Sequence, residues 1–176
     1  MPQNKGYLTA KSNKESDEYF TPDYAVYPIL KYLNSFYIKN PIIWCPFDKE
    51  TSQYVKIFKE AGYKVIYSHV DDGKNFFEYE PNHYDIIISN PPFSFKDEVL
   101  KRLYVLNKPY AILLPLPSLQ GQKRFKYLKD TQALIFDKRI NFWKNEKQTE
   151  IIKDVSFASI YVCKDFLTKD LIFETL

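Results

Sequence analysis

At 176 residues, 45% of them apolar and 18% aromatic, the chain has material for one compact domain with a real core and too little for two independent ones. Two cysteines (Cys45 and Cys163) and two histidines (His69 and His83), scattered along the sequence, exclude a spaced zinc signature, so no metal is expected and the thiols read as buried side chains in a reducing cytoplasm. A net charge of +3, an N-terminus without the apolar stretch of a secretory signal, and no apolar run of bilayer length point to a soluble, cytoplasmic protein with no membrane partner.

Residues 1–18 are dominated by Lys, Asn, Ser and Glu, too polar to form core, and are expected to be a flexible arm ahead of a single domain over 19–176. Thr21-Pro22 suits a helix start, with Thr21 as cap and Pro22 in the first turn. Val26, Ile29, Leu30, Leu33 and Phe36 or Tyr37 then recur at helical spacing, with Pro28 inside the stretch. From there short apolar runs alternate with helical patterns. Residues 42–45 predict a buried strand, 51–61 a helix ended by Gly62, and 64–68 a second strand. A third strand at 84–89 is followed by a helix through Val99, Leu100, Leu103 and Leu106, and by a fourth strand at 110–114. Such alternation specifies an α/β fold, a mostly parallel sheet with helices on both faces. A lysine-rich helix is expected around 121–129. The last two apolar runs, 133–136 and 157–162, have nothing helical between them and read as an antiparallel pair closing the sheet's edge.

One pentapeptide concentrates the chemistry: Ser89-Asn90-Pro91-Pro92-Phe93, directly after an apolar strand. In open α/β sheets ligands collect at the carboxyl ends of strands, which puts this segment on the functional rim. Two consecutive prolines fix φ near −65° and donate no backbone hydrogen bond, leaving a stiff turn whose carbonyls are acceptors. Asn90 adds an amide oxygen. A primary amine with two N–H groups fits between the Asn90 oxygen and the Pro91 carbonyl, its lone pair left to attack an electrophile, while Phe93 stacks on the ring that carries the amine.

This Asn-Pro-Pro-aromatic turn, with Phe95 close behind, resembles the fourth motif of the amino-methyltransferases, and is especially similar to that of the EcoRI-type and phage-type DNA adenine-N6 methyltransferases. The resemblance extends over most of the chain. Tyr19-Phe20-Thr21-Pro22 resembles the aromatic-x-Thr-Pro segment that lies beside the methionine part of their cofactor. Pro46-Phe47-Asp48 occupies the position of their first motif, and Asp71 with Asn75-Phe76 falls in the segment that cups the adenosine. Arg139-Ile140-Asn141-Phe142 is similar to a late Arg-Ile-x-Phe element. What the resemblance implies is a Rossmann-like class I fold, a mostly parallel seven-stranded sheet with an antiparallel edge hairpin and helices on both faces, with S-adenosylmethionine as cofactor. It also implies that Asp48 meets the methionine amine, Asp71 the ribose hydroxyls and Asn75 the cofactor's adenine; Asp71 equally suits a plain turn residue. The sequence departs from the family in one place. The first motif is usually rich in glycine, because the backbone must approach the cofactor closely, and residues 46–52 contain none; Gly73 is the single one of four glycines near the expected site.

Charge is uneven along the chain. Residues 121–153 carry 9 Lys/Arg against 4 Asp/Glu, whereas residues 1–120 balance at 14 each. Lys123, Arg124, Lys138, Arg139, Lys144 and Lys147 are therefore the expected contacts to DNA phosphates, around an adenine flipped from the duplex; Lys123, Lys126 and Lys129 equally suit an ordinary solvated helix face. No insertion large enough for a separate recognition domain is visible, so base reading falls to loops near 94–98, 116–124 and 141–154. Transfer to an exocyclic nitrogen needs no nucleophilic thiol. The alternatives are methylation of RNA or of a protein glutamine amide, and a degenerate methyltransferase fold retained as a binding module, for which the glycine-free first motif argues.

Overall fold

A computed structural model describes residues 19–153 and 155–176; the arm expected over 1–18 lies outside the described residues. The first helix, α1 (Asp23–Leu33), buries Ala25, Val26, Ile29, Tyr32 and Leu33 along one stripe and runs unbroken through Pro28. Its cap is Pro22, with no side-chain hydrogen bond, and Thr21 instead turns inward, 6% exposed. A proline with φ near −73° is already set for helix entry, which frees Thr21 from the capping role expected of it.

Then come β1 (Ile43–Cys45), α2 (Gln53–Glu60), β2 (Val65–Tyr67), β3 (Ile86–Ser89), α3 (Lys96–Leu106), β4 (Tyr110–Pro115), a short α4 (Phe125–Leu128), β5 (Gln132–Phe136), β6 (Ser159–Lys164) and β7 (Leu171–Glu174). They form one seven-stranded sheet in the order β2-β1-β3-β4-β6-β5-β7. Pairing is parallel from β2 through β4 and between β5 and β7, while β6 runs against both β4 and β5. Every residue of β1 and β3 is buried, as sheet strands covered on both faces must be. Gly62, at φ +89°, stops α2 as its position predicts, in a left-handed conformation that a side chain disfavours.

Two further features depart from the sequence reading. The lysine-rich helix shrinks to four residues, because the chain before it is pinned by Arg124, described below. The antiparallel pair does not close the edge, since β7 adds outside β5; its pattern of exposed Leu171 and Phe173 between half-buried neighbours gave no strong apolar run to read. At the other end β2 is itself the edge, and residues 68–85 run as turns with a 3-10 turn at Val70–Asp72.

A buried hydroxyl chain ties the elements behind the rim: Tyr54 and Tyr161 share a hydrogen bond of 2.7 Å, and Tyr161 donates to the Ala25 carbonyl at 2.9 Å. Both cysteines are free and buried, and burial pushes both thiols well up, which makes them poor nucleophiles. Among the described residues no helix is long and apolar enough to cross a membrane.

Candidate active site

From β1 the chain crosses to β2 on one side, and from β3 to β4 on the other, so the strand order reverses between β1 and β3. Loops leaving such a switch point diverge and open a crevice at the carboxyl ends of the strands. Here the crevice is a cavity of about 810 Å³, inside the size range of cofactor pockets. Twelve of the fifteen residues expected at the cofactor and catalytic positions line it: Tyr19, Phe20 and Thr21 before α1; Pro46, Phe47 and Asp48 after β1; Asp71, Asn75 and Phe76 after β2; and Asn90, Pro91 and Pro92 after β3. Pro22, Ser89 and Phe93 stand behind this wall.

After β1, Asp48 is 7% exposed and accepts hydrogen bonds from Ser52 Oγ on one oxygen and from Ser89 Oγ on the other. Burial pushes its carboxyl up to about 6, against the opposing pull of those two hydroxyls. Ser52 also caps α2, accepting from Tyr54 N. Ser89, fully buried and outside the cavity lining, thus braces the two central loops.

After β2, His69 Nδ1 accepts from Asp71 N at 3.1 Å, and Asp71 pairs with Lys49 at 3.1 Å. Asn75 accepts from Phe77 N at 3.2 Å, an Asx turn that spends part of its acceptor capacity on its own loop. Gly73 lines the cavity, and its φ of +72° is the left-handed conformation that its turn requires.

After β3, the Asn90 amide is oriented by its nitrogen, which donates to the Tyr19 carbonyl at 2.6 Å. Its Oδ1 is buried and has no hydrogen-bond partner. Phe93 departs from expectation: it is 8% exposed, lies outside the cavity lining, and its ring is stacked on that of Tyr19 at 5.2 Å. It is not open to an incoming ring as the chain stands.

Sequence reasoning missed a hairpin that covers the cavity from the far end of the chain. Phe20 and Trp143 exchange backbone hydrogen bonds of 3.1 and 2.9 Å, and Trp143 bridges to Ile151. The intervening tip brings Glu146 to Thr51 Oγ1, which donates to it, and to Lys49 at 3.8 Å, while Gln53 donates to Gln148 at 2.6 Å. Nothing in the sequence links positions 95 residues apart, and a loop of Lys, Asn, Glu and Gln reads as solvated surface. Phe77, which ends the 70–77 segment similar to the one that cups the adenosine, and Phe95, the aromatic close to the Pro-Pro turn, also line the cavity.

No protein-family model matches the chain, and no curated protein matches it. Solved structures do. TrmN from Thermus thermophilus aligns over 91% of this chain and 53% of its own at 11% identity, with a TM-score of 0.50. A type I restriction-modification system methyltransferase subunit from Streptococcus thermophilus aligns over 97% of this chain and 49% of its own at 13% identity, with a TM-score of 0.53. The chain has the Rossmann-like fold of the class I methyltransferases. It spans about half the length of these two structures.

On this fold the basic residues divide. Arg124 is spent internally: its guanidinium, 14% exposed, donates to Asp97 at 2.7 Å and to the Ser118 and Gln120 carbonyls at 3.2 and 3.1 Å, which withdraws it from the expected phosphate contacts. Arg139 is exposed but donates to the Val155 carbonyl at 3.0 Å, and Lys144 pairs with Glu150 at 3.0 Å. Lys123, Lys138 and Lys147 are exposed.

Proposed function

We propose that the chain transfers a methyl group from S-adenosylmethionine to an exocyclic amine, with N6 of adenine in DNA as the leading target. The observation that carries this reading is the Asn90 amide, a buried acceptor with no partner, fixed in orientation by Tyr19, on the rim of the cavity. An acceptor left unpaired in the interior costs about 1–3 kcal/mol, and an arriving N–H removes that cost. An amine that gives its two N–H groups to Asn90 Oδ1 and the Pro91 carbonyl keeps its lone pair for attack and loses a proton to solvent afterwards.

The cavity's residues fit the cofactor. Asp48 would hold the methionine ammonium, Asp71 the ribose, and Phe47 with Phe76 the apolar faces, their rings 4.8 Å apart. Four carboxylates, Asp48, Asp71, Glu78 and Glu146, against Lys49 favour a ligand with positive charge. S-adenosylmethionine supplies there a methyl already activated on a sulfonium. The protein's task is then to orient the amine and exclude water. The resemblance of residues 89–95 and the exposed Lys123, Lys138 and Lys147 support DNA as the polymer.

Isotopically labelled cofactor, incubated separately with DNA, RNA and protein and followed by digestion and mass spectrometry, tests this. Labelled N6-methyladenine from DNA is expected; label in RNA or in glutamine would move the target, and none anywhere with folded protein would remove the activity. A specific observation favours a second reading, a binding module: the glycine-free β1 loop spends its side chains on one another and on the hairpin. Calorimetry with millimolar S-adenosylmethionine separates the two, since the module gives no binding heat.

A further inference from the structure

The Tyr19 side chain occupies a box of three phenylalanines. Its ring lies over Phe93 with centroids 5.2 Å apart and planes 21° apart, and meets Phe142 and Phe157 edge-on, each at 5.4 Å, with planes at 63° and 89°. The walls brace one another, Phe93 lying 6.1 Å from Phe142 and 5.5 Å from Phe157. One parallel wall and two perpendicular ones make the set of contacts that holds a flat ring best. Phe142 is fully buried and Phe93 nearly so, whereas Tyr19 is half-buried and shares the cavity lining with Asn90, Pro91 and Pro92. The box therefore adjoins the unpaired acceptor, and what separates it from the cavity is a tyrosine ring.

The backbone of Tyr19 has separate anchors. Its carbonyl holds Asn90, and the next residue is laddered to Trp143. Both ties are made by main-chain atoms of residues 19 and 20, so a change of χ1 at Tyr19 leaves them in place.

Resting on the methyltransferase reading, in which Phe93 stacks on the ring that carries the acceptor amine, we propose that the Tyr19 side chain is a plug in the Phe93–Phe142–Phe157 box that leaves when that ring enters. Phe93 then does stack on the acceptor, but in the opened state.

A free nucleoside makes the test independent of phosphate contacts and base flipping. Titration with 2-aminopurine deoxyriboside, whose fluorescence is quenched on stacking, is expected to show Tyr19→Ala binding at least tenfold tighter than wild type, and Tyr19→Phe, which keeps the plug, binding as wild type does. Adding Phe157→Ala to Tyr19→Ala should abolish the gain. Equal or weaker binding by a Tyr19→Ala protein that melts cooperatively would overturn the plug; if that variant fails to fold, Tyr19→Leu, which leaves a side chain without a flat face, takes its place with the same expectation. The methyl-transfer assay is a separate readout. Tighter nucleoside binding without transfer anywhere would leave the plug and remove the enzyme, and transfer with unchanged nucleoside binding would do the reverse.

Discussion

The loops after β1 and β3 leave neighbouring strands and are joined by the hydrogen bond from Ser89 to Asp48, yet they use their polar atoms in opposite ways. After β1, Asp48 has a hydroxyl on each oxygen, Ser52 caps a helix, and Thr51 and Gln53 reach the 143–151 hairpin. After β3, two prolines supply no donor and Asn90 keeps a buried oxygen unpaired. A loop closed on its own side chains holds a shape without glycine. A loop left one hydrogen bond short is built to receive a donor, which makes the two loops separable by mutation.

The largest effect expected is at the open loop. Asn90→Ala should lower the rate of methyl transfer roughly 10²–10³-fold, the usual loss when one fixed polar group at a reacting centre is removed, with cofactor affinity within about twofold of wild type. Single-turnover kinetics beside calorimetry read the two separately. Equal loss of both would merge the loops into one cofactor site and end the division of labour.

The closed loop should show itself through pH. The Asp48 carboxyl, pushed up to about 6 from an ordinary 3.8, is protonated in the folded protein at pH values where the unfolded chain has lost that proton. Its folded pKa lies above its unfolded one, so the carboxylate's burial costs nothing below about pH 4, costs progressively more to pH 6, and a constant amount beyond, on the order of 3 kcal/mol. A cationic ligand reverses the preference. Cofactor affinity should therefore fall as pH drops through 6, by at most about tenfold per unit, and Asp48→Asn should flatten that dependence. Calorimetric titration between pH 5 and 8 checks this; an unchanged slope in the variant would assign the titration elsewhere.

What was legible in the sequence follows the same contrast. The strands that carry the site announce themselves as dense apolar runs, Ile42-Ile43-Trp44-Cys45 and Ile86-Ile87-Ile88, and two prolines with an asparagine mark the open loop by composition alone. The closed loop and its cover do not announce themselves, because their partners are distant: Glu146 and Gln148 are ordinary surface residues until the fold brings them to Thr51 and Gln53. β7 was hidden for a different reason, being an edge strand with Leu171 and Phe173 exposed and too short to display a pattern. Periodicity also misled, since Lys123, Lys126 and Lys129 are spaced like a helix face while only Phe125–Leu128 is helical.

That misreading gives a smaller, sharper test. Arg124 and Lys123 are adjacent in sequence but opposite in use, one tied to Asp97 and two carbonyls, the other exposed. Arg124→Ala should cost about 1–3 kcal/mol, a drop in Tm of roughly 3–10 °C for a chain of this length. Lys123→Ala should leave Tm unchanged, weaken DNA binding a few-fold, and reduce the salt slope by about 1. Thermal melts paired with salt-dependent binding would expose an exchange of roles.

The smallest effect belongs to the cover. Glu146 meets the closed loop through Thr51 and Lys49, with its side chain 41% exposed. Exposed ties of this kind contribute roughly 0.2–1 kcal/mol each, so Glu146→Ala should speed cofactor dissociation by about two- to fivefold and leave the rate of transfer at saturating cofactor unchanged. Stopped-flow displacement of bound cofactor reads the first quantity and steady-state assays the second. A loss as deep as that of Asn90→Ala would mean that Glu146 contacts a reactant, whereas no change in dissociation would mean that the hairpin rests on the loop without holding it shut.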